Sequence, residues 1–283
     1  MRSRVAVLIV NCRRYDDLDR VLTSVASVMG ADDEIVVFDQ LTDAGQRDAA
    51  AIRHPCVTWR ASPHNLGFAK AVNQAAAATS APLLLLLNPD VLVEEPVLDE
   101  LASWLDTHAG VALAGPRVTN DDGSVQASAR RFPSLSTAFA GRSTWLSQHF
   151  PNNWLTRRNL LARDANQAVT VDWLAGSCVM IRRDVFDRLG GMDEGYFLYW
   201  EDADLAWRAR DIGFTCTYLP TVTVRHAGGR SAGLDPALAI RAFHRSAYRL
   251  YASRVGPVGK WTAPLVRIAL WARGEWRVWR FGR

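Results

Sequence analysis

Four places along the chain put metal-capable or proton-accepting side chains where a fold would present them. Asp39 closes the apolar run EIVVFD, Asn88-Pro89-Asp90 follows five consecutive leucines, and His226 closes the run TVTVR. The fourth place is Trp200-Glu201-Asp202-Ala203-Asp204, directly after the aromatic stretch Tyr196-Phe197-Leu198-Tyr199. In open α/β sheets ligands bind beyond the carboxyl ends of the strands, so acids and imidazoles that terminate apolar strands mark a site. Asp90 could hold a hard divalent cation through oxygen. A single Asp after a strand is as readily a turn or cap residue, but three such strand ends weaken that reading. Three carboxylates in the first turn of a helix can simply complement its dipole. Aromatic neighbours, however, raise a carboxylate's proton affinity above its ordinary pKa of about 4, as a general base requires. Glu201 and Asp204 lie three apart and share a helical face, while Asp202 points elsewhere.

The elements that must position these residues follow from periodicity. Residues 5–10 read as a short buried strand, and Leu18, Val21, Leu22, Val25 and Val28 recur at helical spacing, giving a β-α start. Residues 34–39 form the next strand and Val57-Thr58-Trp59 a third, before an Ala-rich helix over 65–79 preceded by Asn65-Leu66-Gly67. Leu83 to Leu87 is too apolar for an edge and reads as a central parallel strand buried on both faces. Pro96 opens a helix whose inner face carries Val97, Leu98, Leu101, Leu105 and His108. Residues 111–115 return as a strand, and Asn120-Asp121-Asp122-Gly123 signals a hairpin turn. Residues 128–168 lack periodicity and carry six arginines, which points to a functional or disordered loop. Then come a strand over 169–182, helices over 184–189 and 201–212, and two strands over 214–219 and 222–225.

On these residues the chain resembles the inverting glycosyltransferases of family 2, which have the A-type fold: a Rossmann-like, mostly parallel sheet flanked by helices. The resemblance covers residues 5–231, and the long motif from Trp173 (WLAGSCVMIRRDVFDRLGGMDEGYFLYWEDADLAWRARDIGF, then VRHAGGRS) is similar to rhamnosyltransferases acting on polyprenyl-linked sugars, including the mycobacterial linker-forming type. Ser128 to Ser134 (SARRFPS) matches the same subgroup. The resemblance implies roles. Asp39 accepts a hydrogen bond from the pyrimidine base, and Asn11 belongs to the same donor-binding set. Asn65, Gly67 and Lys70 match the NxGfaxaxN element beside the nucleotide. Asn88 and Asp90 occupy the DxD position, with Asp90 on the metal and Asn88 nearer the ribose. His226 is a second metal ligand and Asp202 the catalytic base. Trp173, Gly176, Ser177 and Glu201 line the acceptor side, and Arg130 and Arg131 contact a diphosphate. The implied cofactor is Mg²⁺ or Mn²⁺, the donor dTDP-β-L-rhamnose, and the acceptor a lipid-linked sugar. Two departures stand out: Asp39-Gln40-Leu41-Thr42-Asp43 replaces the usual D-N-x-S-x-D, and DxD is reduced to Asn-Pro-Asp.

Composition bounds the rest. With 283 residues, 49% hydrophobic and 22% charged, the chain suits one α/β domain with an extension, here a catalytic domain over 1–235 (halves 1–116 and 117–235) and a helical extension over 236–283. A formal charge of +4 hides an asymmetry, because residues 241–283 carry ten Arg or Lys against the single acid Glu275. Within that tail Trp261, Leu265, Ile268, Ala272, Trp276 and Trp279 recur at helical spacing beside Arg273, Arg277 and Arg280. Such a stripe suits the inner face of the cell membrane, to which a cytoplasmic protein would attach peripherally; it would equally suit the protein's own core or a second copy. No DNA-binding spacing accompanies the basic residues, so nucleic acid is not expected. No signal segment opens the chain and no run approaches the ~18 apolar residues that span a bilayer, so export is not expected. The four cysteines lack CxxC spacing, and two lie in apolar strand-like segments, which fits reduced, buried thiols. A nucleotidyltransferase would need a Gly-rich loop after the first strand, where residues 10–15 hold no glycine. An inactive sugar-binding protein would have no use for Asp90, Asp202 and His226 together.

Overall fold

The computed structural model describes residues 2–94, 96–133, 165–226 and 235–282. Arg142, Arg157, Arg158 and Arg163 of the basic loop, and the end of the VRHAGGRS motif, lie outside the described residues. In chain order the first elements are β1 (Val5–Cys12), α1 (Tyr15–Ala26), β2 (Glu34–Gln40), α2 (Ala44–Arg53), β3 (Val57–Ser62), α3 (Phe68–Ala76) and β4 (Leu83–Leu87). Next come β5 (Val91–Val93), α4 (Val97–Thr107), β6 (Val111–Thr119), β7 (Ala129–Arg130), β8 (Val169–Val171), β9 (Trp173–Leu174) and β10 (Cys178–Arg182). The last are α5 (Arg183–Arg188), α6 (Glu201–Asp211), β11 (Thr215–His226), α7 (Pro236–Arg254) and α8 (Ala263–Phe281).

The main sheet runs β3-β2-β1-β4-β10-β6-β11-β5, with β8 also on β11. Side chains alternate across a strand, so each strand feeds two cores. Val5, Val7, Ile9, Leu83, Leu85 and Leu87 pack with α1 and α4 on one face. Ala6, Leu8, Leu84 and Leu86 pack with α3 and α6 on the other, together with Leu250 of α7. All five leucines of β4 are buried, each contributing about 2 kcal/mol of gross burial, which is why this strand takes a central position.

β4 is central and buried on both faces, but it is parallel only to β1; its other neighbour, β10, runs antiparallel with Cys178 beside Leu87. The apolar run 169–182 is not one strand. It breaks into β8, β9 and β10, with β9 leaving the main sheet to pair with β7. Conversely, the two strands expected over 214–225 are one strand, β11, interrupted between Leu219 and Thr223, where Pro220 has no N–H for the ladder. His108 is the exposed C-cap of α4, and its ring stacks on Trp104 at 3.8 Å. Helix α2, whose N-cap Asp43 accepts from Gln46 N–H at 3.1 Å, was not expected. All four thiols are free; Cys178 and Cys216, in strands, are buried, while Cys12 is half-buried and Cys56 is exposed.

Candidate active site

The strand register assembles the first pair of candidate residues. Asn88 to Val91 make a tight turn closed by Val91 N–H donating to Asn88 O at 3.2 Å, with Pro89 at its second position. Antiparallel pairing of β11 with β5 sets His226 opposite Val91. His226 Nε2 therefore lies 3.2 Å from Asp90 Oδ1. Asp90 is buried, and that oxygen has no hydrogen-bond partner among the described residues. On its other side the imidazole Nδ1 meets Gln126 Oε1 at 3.0 Å, while Gln126 Nε2 donates to His226 O and to Asn120 Oδ1. Gln126 Oε1 can only accept, so Nδ1 carries a proton, and Nε2 faces an anionic oxygen. Two acceptors at this distance call for a proton or a cation. An open cleft runs past Pro89 and Asp90, with Asp17, Arg20, Asp121 and Arg225 on its walls.

The second group surrounds Asp202 at the start of α6. Gly176 N–H donates to Asp202 Oδ2 at 2.9 Å, and Ala203 N–H to Oδ1 at 2.8 Å. One residue on, Ser177 O accepts Asn88 N–H at 2.9 Å. The short loop before β10 is thus tied to the metal-capable turn through Ser177 and to Asp202 through Gly176. Burial pushes the Asp202 carboxyl up, against the pull of those two N–H donors and of Arg130. Glu201 is raised well above the ordinary range, first by burial and then by the charge of Asp202; its Oε2 has no partner among the described residues. Asp204 is buried too and pairs with Arg208 at 2.6 Å, so the shared face of Glu201 and Asp204 points inward and Asp202 turns away, as the spacing predicted. Arg130 stacks over Trp173, 5.0 Å from the ring centre, and Trp173 Nε1 donates to Arg131 O at 2.9 Å. The Arg131 side chain is exposed.

The nucleotide-side candidates form a third group. Asp39 is fully buried: Asn11 Nδ2 donates to Oδ1 at 2.8 Å and the Tyr15 hydroxyl to Oδ2 at 2.7 Å. Gln40, at the position where the chain departs from the usual motif, accepts Leu66 N–H at 2.7 Å and so holds the Asn65-Leu66-Gly67 turn. Asn65 Oδ1 accepts Gly67 N–H at 3.0 Å. Gly67 has φ +84° and ψ 169°, and a Cβ there would lie 2.6 Å from Phe197 O, so only glycine fits. Lys70 reaches outward, with Nζ 3.9 Å from Glu194. Asn73, the last position of the NxGfaxaxN element, donates to Met192 O and accepts Met192 N–H at 2.9 Å, locking α3 to the segment that leads to Asp202. Tyr15, Gln40, Asn73 and Gln126 were not singled out from the sequence; only Asn73 carried a signal, as the closing Asn of the motif.

In overall fold the chain is similar to the mannosyltransferase PcManGT from Pyrobaculum calidifontis in complex with GDP-Man and Mn²⁺, with TM-score 0.62 and 15% identity over 96% of this chain and 70% of that one. It is likewise similar to GalNAc-T7 with UDP, GalNAc and Mn²⁺, with TM-score 0.61 and 15% identity over 95% of this chain and 54% of that one. The sheet order and these neighbours define the A-type fold of glycosyltransferases. The family profile described as "Glycosyl transferase family 2" matches residues 6–190, and the chain belongs to that family. Among its relatives is an N-acetylglucosaminyl-diphospho-decaprenol L-rhamnosyltransferase of Mycobacterium tuberculosis (strain CDC 1551 / Oshkosh), 32% identical over 88% of this chain and 83% of that protein. Rhamnosyltransferase WbbL of Escherichia coli (strain K12) is 26% identical over 50% of this chain and 51% of that protein.

Proposed function

We propose that this chain is an inverting transferase that moves L-rhamnose from dTDP-β-L-rhamnose to a hydroxyl of a polyprenyl-diphosphate-linked sugar in cell-envelope polysaccharide synthesis. The observation that carries the transferase chemistry is the loop 175–177, which joins the Asn88-Pro89-Asp90 turn to Asp202 through consecutive residues. Rhamnose and the lipid-linked acceptor rest on the likeness to the M. tuberculosis enzyme.

The unpartnered Asp90 Oδ1 and the lone pair of His226 Nε2 fit a hard divalent cation, Mg²⁺ or Mn²⁺, and the described residues offer no third His, Cys, Asp or Glu beside them. A cation held there supplies charge to offset the departing nucleoside diphosphate. The chain's own residues do the rest. Asp202 takes the proton of the acceptor hydroxyl as that oxygen attacks the anomeric carbon from the face opposite the diphosphate. The bond to the diphosphate breaks, its electron pair leaves with the diphosphate, and the β donor gives an α product. Gly176 N–H and Ala203 N–H aim the carboxylate, and its raised pKa suits a base. Trp173, Gly176, Ser177 and Glu201 border the acceptor, with Arg130 and Arg131 as contacts to its diphosphate. Asn88 lies nearer the ribose, and Asn11, Asn65, Gly67 and Lys70 frame the nucleotide. Asp39 has no accessible surface and holds Asn11 and Tyr15, so a base N–H reaches it only when a covering side chain moves.

Attachment to the inner face of the membrane belongs to the same proposal. α8 turns Gly274 toward His244 of α7. At about 100° per residue, Leu265, Ile268, Ala272, Trp276 and Trp279 fall on the opposite side, with Arg280 over the Trp276 ring at the margin, while Arg273 and Arg277 turn toward His244 of α7. Leu265 is 70% exposed, Ile268 61% and Trp279 54%, so the stripe is not packed on the chain's own core. Anionic lipid attracts an exposed arginine such as Arg280 by about 1 kcal/mol, in addition to burial of the apolar face. No helix among the described residues is long and apolar enough to cross a membrane.

Thermal stabilisation by a panel of nucleotide sugars with Mn²⁺ tests the donor. dTDP-rhamnose should raise Tm; stabilisation by UDP-sugars alone would sink the rhamnose reading. Asp202→Asn should abolish transfer and keep donor binding, whereas Asp90→Ala should weaken metal-dependent donor binding. A product that keeps the donor's anomeric configuration would reject the single displacement.

A further inference from the structure

The segment that carries Asp202 is held from two sides. Tyr199 and Trp200, the two residues directly before α6, have φ of +68° and +70°, left-handed values that aromatic residues adopt only where their surroundings impose them. From the sheet side, Phe197 O accepts Phe68 N–H at 2.7 Å, and Gly67 fits beneath it. The other side is helix α7 of the C-terminal extension. Ser246 Oγ donates to Leu198 O at 2.9 Å, and Ser246 is buried. The Phe243 ring lies 5.8 Å from that of Tyr199 and 5.4 Å from that of Trp200. Arg249 pairs with Asp193 at 2.7 Å and sits 5.2 Å from the centre of the Tyr196 ring.

Phe243, Ser246 and Arg249 are spaced by three and share one face of α7. Arg241, His244 and Tyr248 share the opposite face, where they meet α8: Arg241 pairs with Glu275 at 2.8 Å, His244 lies against Gly274, and Arg267 stacks over Tyr248. α7 is thus a strut, with the base-carrying segment on one side and the surface helix on the other. The Leu198 carbonyl lies in irregular, half-buried backbone without a strand partner, and Ser246 satisfies this acceptor.

We infer that Ser246 and Phe243 are positioning residues for glycosyl transfer: they fix the Tyr199–Trp200 turn and thereby the bearing of Asp202 on the acceptor hydroxyl. This rests on the reading of Asp202 as the base.

The test uses the full-length protein and three variants, Ser246→Ala, Phe243→Ala and Phe243→Tyr. Donor affinity is titrated with Mn²⁺ and nucleotide sugar, and kcat and KM are measured for the acceptor. Ser246→Ala and Phe243→Ala should keep donor affinity within about twofold and lose about tenfold or more in kcat, because a displacement of about 1 Å in a reacting group costs about that much or more. Phe243→Tyr keeps the ring and should restore kcat to within about twofold. Unchanged kcat in Ser246→Ala, a variant that removes a single oxygen, overturns the inference. So does a parallel fall of donor affinity and kcat, which marks general loosening. If Asp202→Asn still transfers, the reading of the base fails; if it does not and Ser246→Ala does, only the positioning role is lost.

Discussion

Gly67→Ala probes the joint between the nucleotide side and the base side. Gly67 has φ +84° and ψ 169°, a region open to glycine alone, so an Ala there costs about 1–3 kcal/mol in backbone strain. Its Cβ would also lie 2.6 Å from Phe197 O, 2.8 Å from Cδ2 and 3.0 Å from Cα, two of them backbone atoms that cannot swing aside as a side chain can. Overpacking of this kind costs about 1–3 kcal/mol, so the sum is about 2–6 kcal/mol. Gly190→Ala is the matched control: φ is +72°, yet nothing lies within 4 Å of its Cβ, which leaves only the left-handed penalty of about 1–2 kcal/mol. Urea denaturation of both variants separates strain from contact. In the transfer assay Gly67→Ala should lose further activity, since relief of the overlap pushes Phe197 and with it the Tyr199–Trp200 turn. Equal destabilisation of the two variants, with transfer intact in both, would refute the claim that this contact sets the base segment.

Gln126→Leu should lower Mn²⁺ affinity about 10- to 100-fold, measured with nucleotide sugar present, because the His226 Nδ1–H loses its acceptor; unchanged affinity would remove Gln126 from the site. Burial raises Glu201, so the folded state keeps a proton that the unfolded chain releases near 4.5. That contribution is full at acidic pH and is lost as pH rises through the folded value, so Glu201→Gln should gain stability relative to wild type as pH rises above about 4.5, measured by chemical denaturation. A flat difference would show that Glu201 is ionised throughout. The acidic limb of kcat/KM should fall above the ordinary carboxylate range, since burial raises Asp202, and a limb near pH ~4 would place the base elsewhere. Leu85→Ala, in the middle of β4, should cost about 2–5 kcal/mol, while Leu265→Asp on exposed α8 should cost about 0.5 kcal/mol or less yet weaken binding to anionic vesicles. Intact vesicle binding would dismiss the stripe as a lipid contact.

What could be read from the sequence was what periodicity encodes. The β-α start, the five leucines of β4 and the helix at Glu201 follow from apolar spacing, and Asp90 and His226 were visible as polar ends of apolar strands. Strand direction was not legible, because an apolar run such as 178–182 reads alike whether it runs with its neighbour or against it. Nor were the breaks around β9, since apolar residues continue across Asp172 and only the pairing of Trp173 with Arg130 draws the chain into a second sheet. Partners far apart in sequence were invisible for the same reason. Gln126 meets His226 a hundred residues on, and Ser246 meets Leu198 across forty-eight, through contacts that leave no local pattern. The amphipathic signal of the tail came from its exposed stripe and hid the facts that α7 has two working faces and that Leu250 belongs to the core.

The reversed strand β10 has a consequence for how such a protein can diversify. Because it runs against β4, its beginning rather than its end lies beside Leu87, and one change of direction brings residues 175–177 to the rim where Asn88-Pro89-Asp90 emerges. A strand laid in the other direction would deliver that loop to the far rim, a sheet's width away. On the proposed reading, two sets of residues meet edge to edge at the seam between β4 and β10: Asn88-Pro89-Asp90 with His226, tuned to a leaving group, and the loop 175–177 with Asp202, which can be recast for a new incoming hydroxyl.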